Sequence, residues 1–146
     1  MFFGAFTHTI DAKGRTALPA KLREALAADG EPRLTLVRNQ NSRSILCLPP
    51  ALWARVLAKV SSVSPFDGAA NRNVLKLAAT AHAVEFDGSG RVLVPPDLRT
   101  YAGLVKDVVW AGMGSHLLLF DKATFEAEVE QEIPAEQRWD PLAEPG

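Results

Sequence analysis

Two stretches of the chain decide the fold: IDAKGRTALPAKLR at residues 10–23 and FDGSGRVLVPPDLR at residues 86–99. They align at an offset of 76 residues and share the pattern D-x-x-G-R-x-x-Φ-P-x-x-L-R, in which Φ is aliphatic. A second match, at an offset of 72 residues, aligns residues 44–53 with residues 116–125. Two matches in the same order indicate that a whole structural unit is duplicated, because self-similarity at a fixed spacing is typical of repeated units.

Each stretch has the residues of a tight turn between two strands. Asp at the first position and Gly at the fourth suit a type I turn, and the Asp carboxylate can accept a backbone N–H two residues further on. The expected turn-forming residues are Asp11, Asp87 and Gly90. Because β-branched and aromatic residues precede each turn and a short apolar segment follows it, the pattern predicts two β-hairpins, with loops at residues 11–15 and 87–91.

The segments around these loops alternate between helix and strand signals. We expect strands at residues 34–37, 45–48, 108–110 and 117–120, where β-branched and aliphatic residues run together. We expect helices at residues 20–28, 96–101 and 123–132, after Pro49 and Pro50, and at residues 66–78 between the two units. The predicted fold class is α+β and rich in β-strands.

The two units are too short to bury a core separately. One covers about residues 1–62 and the other about residues 78–133. We therefore expect a single domain over residues 1–133, in which the units bury their apolar faces against each other around a pseudo-two-fold axis. Residues 134–146 form an acidic tail rich in proline, which we expect to fray.

The charge of the chain is segregated, although its formal net charge is only -1. Residues 1–60 contain nine Lys and Arg against four acids, residues 61–120 contain five of each, and residues 121–146 contain two bases against eight acids. Such a gradient can present a basic face to a polyanion despite an acidic isoelectric point. The alternative is ordinary solvated surface charge.

Catalysis, metal binding and membrane insertion find little support in the sequence. No apolar run approaches the roughly 18–20 residues that span a bilayer, and the first residues lack the pattern of a signal peptide. Cys47 is the only cysteine, which excludes an intrachain disulfide and a thiolate cluster. The three histidines have no catalytic spacing. We expect a cytoplasmic protein without enzymatic activity, metal, cofactor, small-molecule substrate or membrane partner.

The motifs of the two repeated stretches resemble those of the MraZ family. The resemblance is carried by M-F-x-G at residues 1–4, D-x-K-G-R at residues 11–15, D-x-x-G-R-x-L-V-P at residues 87–95 and L-R-x-x-A-G-L at residues 98–104. It runs in order from residue 1 to about residue 132.

The resemblance implies both a fold and a function. MraZ proteins belong with the AbrB-like and SpoVT-like swapped-hairpin DNA-binding proteins, so it implies a duplicated, double-split β-barrel with peripheral helices. Family members form homo-oligomeric rings and associate with the nucleoid. They bind short G-rich direct repeats in the double-stranded DNA upstream of the division and cell-wall operon that contains their own gene, mainly as repressors.

Under this interpretation the two loops contact DNA. The forked guanidinium of arginine donates to guanine O6 and N7 together, so we expect Arg15 to read a base edge. We expect Lys13 to contact a phosphate and Gly14 to let the backbone approach the DNA. Arg91 and Ser89 take the corresponding places in the second loop.

Two alternatives stay open. Arg15 and Arg91 can instead form structural ion pairs with Asp11 and Asp87 across each turn. The acidic segment 126–144 can serve as a partner-binding arm, which would make the protein an antitoxin-like interaction module. The arginines that follow a leucine on the predicted helices are expected to brace the structure or to touch a neighbour: Arg23 and Arg99.

Overall fold

The computed structural model describes residues 1–28, 30 and 32–143, and the predicted α+β class rich in β-strands is confirmed. The strands are β1 (Ala5–Thr9), β2 (Arg15–Ala17), β3 (Arg33–Arg38), β4 (Ile45–Leu48), β5 (His82–Glu85), β6 (Arg91–Leu93), β7 (Asp107–Gly112) and β8 (Leu117–Asp121). The α-helices are α1 (Ala20–Ala28), α2 (Pro50–Ser61), α3 (Gly68–Ala78), α4 (Pro96–Ala102) and α5 (Lys122–Glu130), followed by a 3-10 turn at Ala135–Gln137.

Six strands form one antiparallel sheet in the order β1-β7-β8-β4-β3-β5. The sheet does not close, because β1 and β5 remain its edges among the described strands. The other two strands, β2 and β6, pair with each other as a separate two-stranded ribbon. The molecule therefore consists of an open sheet, a short ribbon and the helices packed around them.

The strand order is symmetric. When β1 to β4 are exchanged with β5 to β8, the order reads the same from the opposite edge of the sheet, and the pairing registers agree with that exchange. Thr16 lies opposite Val92 at the centre of the ribbon, and Leu46 lies opposite Leu118 at the centre of the β4–β8 pair. Both pairs join equivalent positions of the two aligned stretches, so a pseudo-two-fold axis passes between them.

The predicted pairing within each hairpin is wrong beyond the turn itself. Ile10 and Thr16 form only an isolated bridge, after which β2 leaves β1 and pairs with β6. Likewise β5 pairs with β3, not with β6. In this pairing Thr16 and Val92 lie opposite each other and are both buried at the axis. Each turn therefore connects the sheet to the ribbon.

The main core lies between one face of the sheet, the ribbon and the helices α1 and α4. It contains the fully buried Trp110 of β7, with Leu22 and Leu26 of α1 and Leu98 of α4. A smaller cluster covers the opposite face of the sheet, where Phe120 packs edge-to-face on Phe125 of α5, their ring centroids 5.6 Å apart. The core thus joins both halves of the chain.

The tail contributes little to this core. Residues 131–143 are exposed, and Trp139 retains 83% of its accessible surface. Residues 144–146, the end of the tail predicted from the sequence, lie outside the described residues. Among the described helices, none combines the length and apolar character that a membrane crossing requires.

Candidate nucleic-acid interface

The Asp11 carboxylate organises the first turn. Its Oδ1 accepts hydrogen bonds from the backbone N–H groups of Lys13 (3.0 Å) and Arg15 (2.8 Å), and its Oδ2 accepts one from Nε of Arg15 (3.1 Å). The backbone N–H of Gly14 closes the turn on the carbonyl of Asp11 at 3.0 Å. The backbone hydrogen bond from Arg15 is the main cause that holds the pKa of Asp11 below its ordinary value of 3.8.

The second turn repeats this geometry. Oδ1 of Asp87 accepts from the backbone N–H groups of Ser89 and Arg91, both at 2.9 Å, and Oδ2 accepts from Nε of Arg91 at 3.0 Å. The pKa of Asp87 is lowered as well, first by the backbone hydrogen bond from Arg91. The chain thus builds the same charged turn twice.

The ion pairs that the sequence left as an alternative are present. Each uses the Nε donor of its arginine, and no described residue accepts from the terminal nitrogens of Arg15 or Arg91. The two arginine side chains remain 36% and 40% exposed. An arginine has five N–H donors, so an ion pair through Nε fixes the direction of the guanidinium and leaves its outer edge available to a ligand.

The ribbon brings the two arginines onto one surface. Arg15 lies opposite Leu93 and Arg91 lies opposite Ala17, so the arginines occupy diagonal positions about 7–8 Å apart. Thr16 and Val92 point the other way, into the core. Lys13 and Ser89 are exposed in the same two turns, and we call the four residues the turn surface (Lys13, Arg15, Ser89 and Arg91).

We expected Gly14 to let the backbone approach DNA, but the side chain of another residue covers it. It is buried, and a Cβ at Gly14 would lie 2.6 Å from Nε of Arg99, so the Arg99 side chain covers it. The symmetric Gly90 is covered in the same way by the Arg23 guanidinium. Both glycines have positive φ angles, 91° and 75°, which side-chain-bearing residues rarely adopt. These glycines therefore serve packing between the halves.

For Arg23 and Arg99 the sequence predicted only that they brace the structure or touch a neighbour. Each follows its own motif but covers the glycine of the other half, and Nε of Arg99 also donates to the carbonyl of Val94 at 3.0 Å. Two further backbone bonds cross between the halves at this place: Leu18 N–H to Gly90 O at 3.1 Å and Val94 N–H to Gly14 O at 2.8 Å. The bracing of the turns is therefore reciprocal.

The arrangement is suited to binding an extended anion. Two guanidiniums held by carboxylates, with a lysine beside them, offer donors that match phosphate oxygens and the acceptor edge of guanine. A two-stranded ribbon is narrow enough to enter the major groove of B-form DNA. The fold and the turn surface thus define a duplicated β-rich protein with an arginine-bearing two-stranded ribbon.

Comparison with known proteins gives the family. The family model described as "MraZ protein, putative antitoxin-like" matches residues 1–76 and again residues 77–141. "Transcriptional regulator MraZ" of Anaeromyxobacter sp. (strain Fw109-5) is 53% identical over 137 residues, which cover 94% of this chain and 94% of that protein. The protein of the same name from Methylobacillus flagellatus is 40% identical, covering 93% and 91%. The chain belongs to the MraZ family.

Proposed function

We propose that the protein is a DNA-binding transcription regulator that acts mainly as a repressor. It binds short G-rich direct repeats upstream of its own division and cell-wall operon, and it is therefore found in the cytoplasm at the nucleoid. The observation that carries the proposal is the turn surface, in which Arg15 and Arg91 are aimed by Asp11 and Asp87 from one ribbon. The names of the relatives support the regulatory role.

The residues of the turn surface divide into two roles. Arg15 reads guanine, because its Nε is held by Asp11 and no described residue accepts from its terminal nitrogens, which leaves them for a base edge. Lys13 is exposed beside it and neutralises a phosphate. Arg91 repeats the role of Arg15, whereas Ser89 stands where the first turn has lysine, so the second turn binds more weakly.

A homo-oligomeric ring completes the proposal. A single ribbon makes few contacts and binds weakly, but several ribbons on one assembly act at a high effective concentration once the first is bound. Direct repeats then suit subunits spaced by about one helical turn of DNA, roughly 34 Å.

Fluorescence anisotropy with labelled duplexes tests the proposal. One duplex carries the region upstream of the protein's own gene and the other a shuffled copy, each measured at two salt concentrations. We expect Arg15→Ala to lower the specific affinity by about 1–3 kcal/mol and to relax discrimination at one guanine. We expect Lys13→Ala to weaken both duplexes alike and to reduce the salt slope by about one.

Two further variants control this experiment. Arg15→Lys keeps the charge but loses the fork, so we expect specificity to fall while non-specific binding persists. Lys59→Ala removes an exposed lysine from α2, away from the ribbon, and should bind like the wild type. If Arg15→Ala and Lys13→Ala also bound like the wild type, the assignment of the turn surface would be wrong.

A second function is favoured by the tail. The acidic residues of segment 126–143 are exposed alongside the apolar Trp139 and Leu142, which retain 83% and 91% of their surface. Such a segment suits an antitoxin-like arm that binds a basic partner protein. Deletion of residues 126–144 would abolish capture of that partner in a pull-down and leave DNA binding intact. If no partner were lost on removal, this second function would be excluded.

A further inference from the structure

A second basic surface lies at the turn between β3 and β4. It is a pocket of about 520 Å³ whose lining includes Arg38, Gln40, Arg43, Lys76, Thr80 and Tyr101. Three of these side chains are cationic, and none of the described lining residues is acidic. We call this site the basic pocket.

Hydrogen bonds build the wall of the basic pocket. The hydroxyl of Tyr101 donates to the carbonyl of Asn39 at 2.7 Å, and the buried Asn39 amide donates to Oγ of Ser44 at 3.0 Å. On the other side, Oγ1 of Thr80 accepts from the backbone N–H of Arg38 at 3.4 Å. The β3–β4 turn is therefore held in one shape by α4 and by Thr80, which lies between α3 and β5.

The cations of the basic pocket lack counter-charges. The guanidinium carbons of Arg38 and Arg43 lie 4.9 and 4.8 Å from the centroid of the same Tyr101 ring. Among the described residues, none forms an ion pair with Arg38, Arg43 or Lys76, and the buried Nε of Arg38 has no hydrogen-bond acceptor. Like charges gathered without an acid repel one another, so a bound anion would relieve the repulsion.

The duplication of the fold provides an internal comparison. At the equivalent corner of the second half, the aligned positions hold Gly112 for Arg38 and Ser115 for Arg43, and in α1 the position of Tyr101 holds Ala25. Equivalent strands form there without the cations or the aromatic ring, and they are joined by residues 113–116, a turn two residues shorter than residues 39–44 of the first half. The fold therefore does not require the basic pocket, which points to a binding role.

We propose that the basic pocket binds a small phosphorylated anion, of the diphosphate class. Guanidinium groups donate to phosphate oxygens in a matching planar geometry, and Lys76 adds a point charge. The pocket is concave and lies at the far end of β3 from the Asp87 turn, about 17 Å away at 3.3 Å per residue. A small ligand fits such a pocket better than a DNA backbone does. The proposal stands independently of the DNA-binding function.

Calorimetric titration with pyrophosphate tests the proposal on the full chain. Arg43 and Lys76 are exposed, so Arg43→Ala and Lys76→Ala should fold normally, which circular dichroism verifies. We expect the wild type to bind pyrophosphate, each variant to bind at least fivefold more weakly, and the double variant to lose binding. Lys122→Ala, which removes an exposed lysine from α5, should bind like the wild type. Equal affinity in all variants, or no binding by the wild type at millimolar pyrophosphate, would overturn the proposal.

A DNA titration separates a free phosphate from a phosphate of the DNA backbone. We expect Arg43→Ala and Lys76→Ala to leave the salt slope of duplex binding unchanged, in contrast to Lys13→Ala. If these variants reduced the slope while the wild type failed to bind pyrophosphate, the pocket would belong to the DNA surface and the small-ligand proposal would be wrong.

Discussion

Thr16 lies opposite Val92 at the centre of the ribbon and is 1% exposed. Its hydroxyl has no hydrogen-bond partner among the described residues. A buried, unsatisfied hydroxyl costs about 1–3 kcal/mol, and the equivalent position accommodates valine. We expect Thr16→Val to raise the free energy of unfolding by about 1 kcal/mol in urea denaturation, and Val92→Thr to lower it. A loss of stability in Thr16→Val would contradict the interpretation that the buried Thr16 hydroxyl destabilises the fold.

The covered glycines give a second prediction at the residue scale. In Gly14→Ala and Gly90→Ala, the new methyl group would collide with the arginine above it, at a positive φ that already costs alanine about 1–2 kcal/mol. We expect each variant to lose at least that much unfolding free energy, measured by urea denaturation.

Two variants control the glycine prediction. Gly88 lies in the same turn as Gly90, but a methyl group added there meets nothing within 4 Å. Gly88→Ala should therefore leave the unfolding free energy nearly unchanged. Arg99→Ala, combined with Gly14→Ala, should recover the steric part of the loss while the backbone cost remains. If Gly88→Ala were as destabilising as Gly90→Ala, packing against arginine would not be the cause.

At the scale of elements, the two turns make stability depend on pH. Their carboxylates have folded pKa values below 3.8, so the stability they contribute is present above the pKa of the unfolded chain and is lost as pH falls through the folded pKa. We expect the wild type to exceed Asp11→Asn/Asp87→Asn in urea midpoint near pH 6. The difference should shrink below about pH 4. Parallel curves down to pH 2.5 would show that the turns do not carry this dependence.

The elements themselves were predictable where their signals are local. The sequence placed α1 at residues 20–28, where it lies. It began α5 one residue late, because Asp121 caps that helix by accepting from the N–H of Thr124, and it extended α5 two residues too far, to residue 132. It also identified Asp11 and Asp87 as turn formers, since the bonds involved span only two to four residues.

The pairing of the elements was not predictable, because it depends on residues far apart in the chain. The three-residue strands β2 and β6 carry too short a pattern to choose between a neighbouring partner and a distant one. For the same reason the sequence could not place Arg99 over Gly14 or Arg43 beside Tyr101. The repeated motif revealed the duplication and its symmetry, whereas the interleaving was implied only by the resemblance to swapped-hairpin proteins.

At the scale of the whole molecule, interleaved strands prevent either half from having a core of its own. In the sheet, β1 lies beside β7 and β8 beside β4, and the ribbon needs one strand from each half. Opening one half would therefore expose the core of the other. The chain should unfold in one cooperative transition, as single domains of this size generally do.

Tryptophans in the two halves can test this cooperativity. Trp53 lies on α2 of the first half and Trp110 is fully buried in β7 of the second, while Trp139 lies in the exposed tail. In Trp110→Phe/Trp139→Phe only Trp53 reports, and in Trp53→Phe/Trp139→Phe only Trp110 does. We expect the fluorescence midpoint in urea to coincide with the far-ultraviolet circular dichroism midpoint within each variant, even though Trp110→Phe lowers the absolute stability by leaving a cavity. If Trp53 reported an earlier transition than circular dichroism, the halves would unfold separately and the interleaved sheet would not be the unit of stability.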